Sequence, residues 1–177
     1  MSRDIKDLDP VFAKQVKILV ANCALRGITV VPYLTYRSPE EQAKLWRQGR
    51  RTATIKTKIK ELRQLGCDYL ADCIENAGPQ SGDKVTNAIP GKSWHQFGLA
   101  CDFYWEKSKG NACWSHNTLD ENGLNGYKVL HEEAHKLGLT SITLNNGGSV
   151  DWPHIQAPEQ GAPSQSLKEI NDLLANK

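Results

Sequence analysis

Apolar positions recur at helical spacing early in the chain, at Phe12, Val16, Leu19, Val20 and Cys23. Asp9-Pro10 supplies an N-cap and a first-turn proline before them, and Gly27 supplies the stop. The period then changes. Residues 28–36 crowd β-branched and aromatic side chains together and predict a strand, with Pro32 placing it at a sheet edge or a bulge. Ser38-Pro39-Glu40-Glu41 reads as a capping box opening a helix that carries Gln42, Leu45 and Trp46 and ends near Gly49. Ile55, Ile59, Leu62 and Leu65 predict the apolar stripe of another helix, whose outer face is basic. A short helix over residues 68–77 and a glycine-, proline- and serine-rich loop over 78–83 follow.

In the second half, residues 99–105 predict a strand with Ala100, Asp102 and Tyr104 on one face and Leu99, Cys101 and Phe103 on the other. The stretch from Phe103 to Asn122 otherwise reads as an irregular excursion. Leu130, Ala134 and Leu137 define the core side of a helix over 127–137, residues 142–144 read as a strand, and 145–148 as a turn. A last amphipathic helix begins at Ser164, with Leu167, Ile170, Leu173 and Leu174 turned inward. Helices and short strands alternate without βαβ regularity, which gives an α+β class, and no domain boundary interrupts residues 1–177.

Composition narrows the function without naming it. With 177 residues, 39% hydrophobic, the chain can bury a real core, and its net charge of +2 does not call for nucleic acid. Residues 44–63 are strongly basic, with Arg47, Arg50, Arg51, Lys56, Lys58 and Lys60 against Glu61 alone. These charges read as the solvated face of a helix or, alternatively, as an attraction to a polyanion such as an anionic membrane or wall surface; no aromatic residue falls between Arg47 and Lys60, which disfavours a single-stranded nucleic acid. The five cysteines form no CxxC pair and read as free, buried thiols. The first residues lack the basic start and apolar run of a signal peptide, which predicts a cytosolic protein unless something else releases it.

Two metal sites compete in the pattern. His131-Glu132-Glu133-Ala134-His135 is a literal HExxH on a helix, continuing to Gly138 at metzincin spacing, but Ser141 stands where a third histidine is needed. The helical wheel also sets His131 and His135 on a partly solvated flank. The rival site joins His95 and Asp102, from Ser93-Trp94-His95-Gln96-Phe97-Gly98-Leu99-Ala100-Cys101-Asp102, to His154. Two imidazoles and a carboxylate suit one zinc ion with a position left for water. Asp151, three residues before His154, is placed to act as a base, or alternatively to cap the turn after Gly147-Gly148.

Ser93-x-His95-x-x-Gly98-x-Ala100-x-Asp102, Asp151-x-x-His154 and Tyr36-Arg37-Ser38 with Glu41-Gln42 resemble the zinc D,D-carboxypeptidase and L-alanyl-D-glutamate endopeptidase family. That family includes VanY-like enzymes and several bacteriophage endolysins, and residues 39–49 with 90–95 look closest to its endopeptidase branch. The resemblance implies a Hedgehog/DD-peptidase-like domain, an antiparallel sheet flanked by helices around the metal. It implies one Zn2+ held by His95, Asp102 and His154, with Asp151 as general base. Arg37, Gln42 and Ser93 would meet the substrate, Arg37 steadying its carbonyl or developing oxyanion. The implied partner is the peptidoglycan stem peptide, cut by a monomeric endolysin without a separate wall-binding domain. Such an enzyme would wait in the host cytoplasm until released to the periplasm and wall. Two alternatives stay open: a D-alanyl-D-alanine carboxypeptidase or dipeptidase of the same family, and a non-catalytic wall-binding domain.

Overall fold

The computed structural model describes residues 1–142, 151–158 and 164–176, which form two compact units. One comprises Met1, residues 37–97 and the C-terminal segment from 160; the other comprises residues 2–36 and 98–159.

The second unit holds α1 (Pro10–Leu25), β1 (Thr29–Leu34), β2 (Ala100–Ser108), β3 (Asn111–Cys113), α5 (Gly126–Lys136) and β4 (His154–Gln156). Asp9 caps α1 as expected, accepting from the backbone N–H groups of Val11 and Phe12. β2 is the centre of a four-stranded antiparallel sheet, paired with β1 along one side and with β3 and β4 along the other. Pro32 marks both features expected of it: β1 is an edge strand, and its register slips between Pro32 and Leu34. Strand alternation buries Cys101, Phe103 and Trp105 completely on one face of β2. Each of the two aromatic side chains contributes roughly 1.5–3 kcal/mol by burial, enough to pin the register that orients Asp102 on the opposite face. Gly126 opens α5 where a Cβ would fall 2.3 Å from the Trp105 ring, so only glycine lets the helix start there.

The irregular excursion expected from Phe103 onward is corrected: β2 runs on to Ser108 and turns through Lys109-Gly110 into β3. Gly110 has φ +77°, a conformation that two-residue hairpin loops require and glycine tolerates.

The first unit packs α2 (Pro39–Arg47), α3 (Thr52–Gln64), α4 (Asp68–Asn76) and α6 (Leu167–Ala175) around Trp46, Leu62, Leu70, Ile74 and Ile170. Both halves of the Ser38–Glu41 capping box form at the start of α2. The basic segment spans the end of α2 and the whole of α3, as expected, but Leu65, expected on the buried stripe, is 57% exposed. Leu173 is likewise exposed, and buried Asn171 takes its place by accepting from the Leu70 backbone N–H. Several basic side chains are committed internally. Arg47 donates to the Ile74 carbonyl, Arg50 stacks on Trp46 and donates to the Thr86 carbonyl, and Arg63 pairs with Asp72 and Glu75. Part of the charge run is therefore scaffolding, while Lys44, Arg51, Lys56 and Lys60 remain exposed.

All five cysteines are free, and four are buried. No helix among the described residues is long and apolar enough to cross a membrane. The expected strand at 142–144 and turn at 145–148 lie outside the described residues, apart from Ile142, which is in neither helix nor strand.

Candidate metal centre

The Ser93-to-Asp102 stretch begins in a loop, passes through a short 3-10 turn (Trp94–Phe97) and enters β2. Buried Gln96 holds the loop, its Oε1 accepting from the backbone N–H groups of Gly91 and Ser93. Gly98 makes the entry into β2 feasible. Its φ is +68°, and a Cβ there would lie 2.8 Å from the Asp7 carbonyl oxygen and the Asp9 nitrogen. A side chain at this position would meet both steric strain and a backbone wall.

Asp102 and His154 are direct partners across the β2–β4 ladder, and His154 Nδ1 stands 2.9 Å from Asp102 Oδ1. One ligand atom each from His95, Asp102 and His154 lies within 4.8 Å of the others, the one such group of three among the described residues. His95 and His154 are buried, at 2% and 6% exposure, whereas Asp102 retains partial access. Burial opposes a charged His154, but the adjacent Asp102 carboxylate outweighs it, with help from Gln156 and Asp151, and raises the imidazole above its ordinary pKa. Cys101 faces away, and burial drives its thiol far up, so it contributes no thiolate.

The donor set fits zinc: two nitrogens and one oxygen of protein, the ligand count of a catalytic site that keeps a position for water. The shell behind the ligands is also built. Gln156 Oε1 accepts from His154 Nε2 at 3.0 Å, which leaves Nδ1 as the nitrogen turned toward Asp102. Such outer partners fix the tautomer and orientation of a ligating histidine. Gln156→Leu is therefore expected to weaken zinc binding about 10- to 100-fold, measured by competition with a chromophoric chelator. Unchanged affinity would reduce Gln156 to a packing residue.

Asp151 lies in the turn that leads into β4, exposed, with its carbonyl accepting from the His154 backbone N–H at 3.2 Å. Its negative charge bears on His154. Arg37 is half-buried between β1 and α2; its backbone N–H donates to the His95 carbonyl, and its guanidinium donates to Gln42 Oε1 at 2.9 Å. Gln42 has no exposed surface, and its Nε2 donates to the Ala88 carbonyl. Its amide is thus occupied in bracing Arg37 against the loop after residue 86. Ser93 is 8% exposed.

The HExxH helix is settled differently. His131 is buried rather than solvated, and its Nε2 donates to the Trp152 carbonyl at 2.8 Å. Since a carbonyl only accepts, Nε2 carries the proton there, and burial holds the imidazole below its ordinary pKa. Trp152 stacks between His131 and His116, at centroid distances of 5.0 and 5.3 Å. Glu132, the residue a zincin would use as base, pairs with Arg26. His131 therefore braces the turn that carries Asp151 and His154. Gln96, Gln156 and His131 escape a reading of sequence because their roles depend on long-range contacts.

The model of the VanY D-alanyl-D-alanine carboxypeptidase family matches residues 5–146. The chain belongs to that family. The VanY-family match covers the Ser93-to-Asp102 motif and stops short of Asp151 and His154. Among curated relatives, the Peptidoglycan L-alanyl-D-glutamate endopeptidase CwlK of Bacillus subtilis (strain 168) is 28% identical over 155 residues, spanning 85% of this chain and 73% of that protein. Among solved structures, the vancomycin resistance D,D-pentapeptidase VanY E175A mutant in complex with Zn(II) aligns with a TM-score of 0.46 at 19% identity, covering 95% of this chain and 78% of that one. The LdcB LD-carboxypeptidase aligns with the same score and identity, over 94% and 64% of the respective chains.

Proposed function

We propose that this VanY-family peptidase is a zinc-dependent endopeptidase that hydrolyses the L-alanyl-D-glutamyl bond of the peptidoglycan stem peptide. The observation that carries the reading is the convergence of His95, Asp102 and His154 on one point, with Asp151 at the head of the turn that delivers His154. The choice of bond rests on the CwlK relative.

Zinc, when bound by these three side chains, polarises the scissile carbonyl and acidifies a water molecule. Asp151 accepts the proton of the attacking water and returns it to the departing amine of D-glutamate, so that one carboxylate serves both proton transfers. Arg37, held by Gln42, presents a fixed positive charge to the carbonyl oxygen as negative charge develops on it. Gln42 acts through Arg37 and is a positioning residue. Ser93, at the rim of the His95 loop, contacts the substrate backbone.

In this reading the enzyme acts as a monomer. In the endolysin role it accumulates in the host cytoplasm and reaches the wall when the membrane is opened. Digestion of purified sacculi, with products weighed by mass spectrometry, tests the bond. New L-alanine carboxyl ends and D-glutamate amino ends, abolished by a chelator and restored by zinc, are expected. Release of terminal D-alanine alone would establish the D,D-carboxypeptidase reading instead, which the name of the matching family model favours.

A further inference from the structure

Asp102 shares its face of β2 with Tyr104, and Tyr104 belongs to an aromatic group that the metal chemistry leaves unused. The rings of Tyr33, Tyr104 and Trp114 meet one another, with centroids 4.9 Å apart for Tyr33–Trp114, 5.7 Å for Tyr104–Trp114 and 6.3 Å for Tyr33–Tyr104. Val31 pairs with Tyr104, so Tyr33, two residues along β1, falls on the same face. Aromatic pairs across strands often only stabilise a sheet. This group is different in being open: Trp114 is 49% exposed and Tyr33 36%. Arg3 covers one face of Tyr33, with its guanidinium 4.4 Å from the ring centroid, so Trp114 and Tyr104 supply the free surface.

We propose that this shelf stacks against the N-acetylmuramyl sugar that carries the stem peptide. Spacing selects that occupant. Tyr104 lies two residues along the strand from Asp102, about 7 Å away. In the substrate, L-alanine and the lactyl group together separate the cleaved bond from the sugar ring by about two residue lengths, again about 7 Å. A pyranose ring offers an apolar face of C–H groups that suits the electron-rich face of an indole or phenol. The proposal rests on cleavage at the L-alanyl-D-glutamyl bond: a D-alanyl bond lies several residues farther from the sugar, which would then miss the shelf.

The test compares two substrates with the same pentapeptide, one bearing N-acetylmuramic acid and the other only an acetyl group. The protein should show the lower KM for the muramyl substrate. Trp114→Ala should raise that KM about 5- to 10-fold, leave kcat unchanged and leave the acetylated peptide unaffected. Trp114→Phe should recover most of the preference, which loss of folding would not allow. Equal KM values for both substrates, or equal losses on both, would overturn the shelf. Titration with N-acetylmuramyl-L-alanine, followed by tryptophan fluorescence, separates this outcome from a wrong bond assignment. Saturable binding that Trp114→Ala abolishes supports the shelf and no binding refutes it, whereas release of D-alanine alone overturns it through the bond assignment, because the sugar then misses the shelf during cleavage.

Discussion

Asp151→Asn is expected to lower kcat by about 10²- to 10⁴-fold while leaving zinc content unchanged. That range corresponds to about 2.7–5.5 kcal/mol of transition-state stabilisation, the worth of one well-placed proton-transfer group. Asparagine keeps the size and turn-forming capacity of aspartate, so the carbonyl of residue 151 can still accept from the His154 backbone N–H. It removes only the basicity. The two roles open to Asp151 therefore part cleanly: as a turn residue it is replaceable by asparagine, and as the base it is not. Full activity in stopped assays on a soluble muropeptide would exclude Asp151 from the chemistry. A loss of zinc alongside activity would recast it as support for His154, on which its charge already bears.

The candidate site was legible in sequence to the extent that strand alternation governs it. Placing Asp102 opposite Cys101, Phe103 and Trp105 needs only a period of two, and burial of the latter three follows that period. The same logic failed in the outer half of β2, because Glu106, Lys107 and Ser108 face solvent and interrupt the hydrophobic pattern. β3 has only three residues, too few to carry a signal of its own. The HExxH helix misled in another way. A wheel reports which side of a helix a residue occupies, and His131 does lie beside the core stripe. What decides its role is a carbonyl 21 positions away, that of Trp152, in the turn that leads into β4. Gln42, Gln96 and Gln156 pose the same difficulty, since an amide looks alike in sequence whether it braces an arginine, a loop or a metal ligand. The basic run of residues 44–63 shows the converse. Its charge is plain in the sequence, but Arg47, Arg50 and Arg63 spend theirs on carbonyls and carboxylates of their own unit.

His154→Ala is expected to abolish zinc binding and with it all detectable peptidase activity. The substitution removes one of three ligands and the partner that Asp102 faces at 2.9 Å. Loss of activity alone would not separate a lost ligand from a damaged fold, because breaking a largely buried charged pair costs about 3–5 kcal/mol in its own right. Thermal unfolding with and without zinc makes the distinction. A ligand that binds only the folded protein stabilises it by about 2.7 kcal/mol at 100 times its Kd. The unaltered protein should therefore melt several degrees lower after treatment with a chelator and recover when zinc is restored. His154→Ala should melt at one temperature in both conditions. A variant that still responds to zinc would place the third ligand elsewhere, and one that folds with wild-type stability but ignores zinc would fix His154 as a metal ligand rather than a structural partner of Asp102.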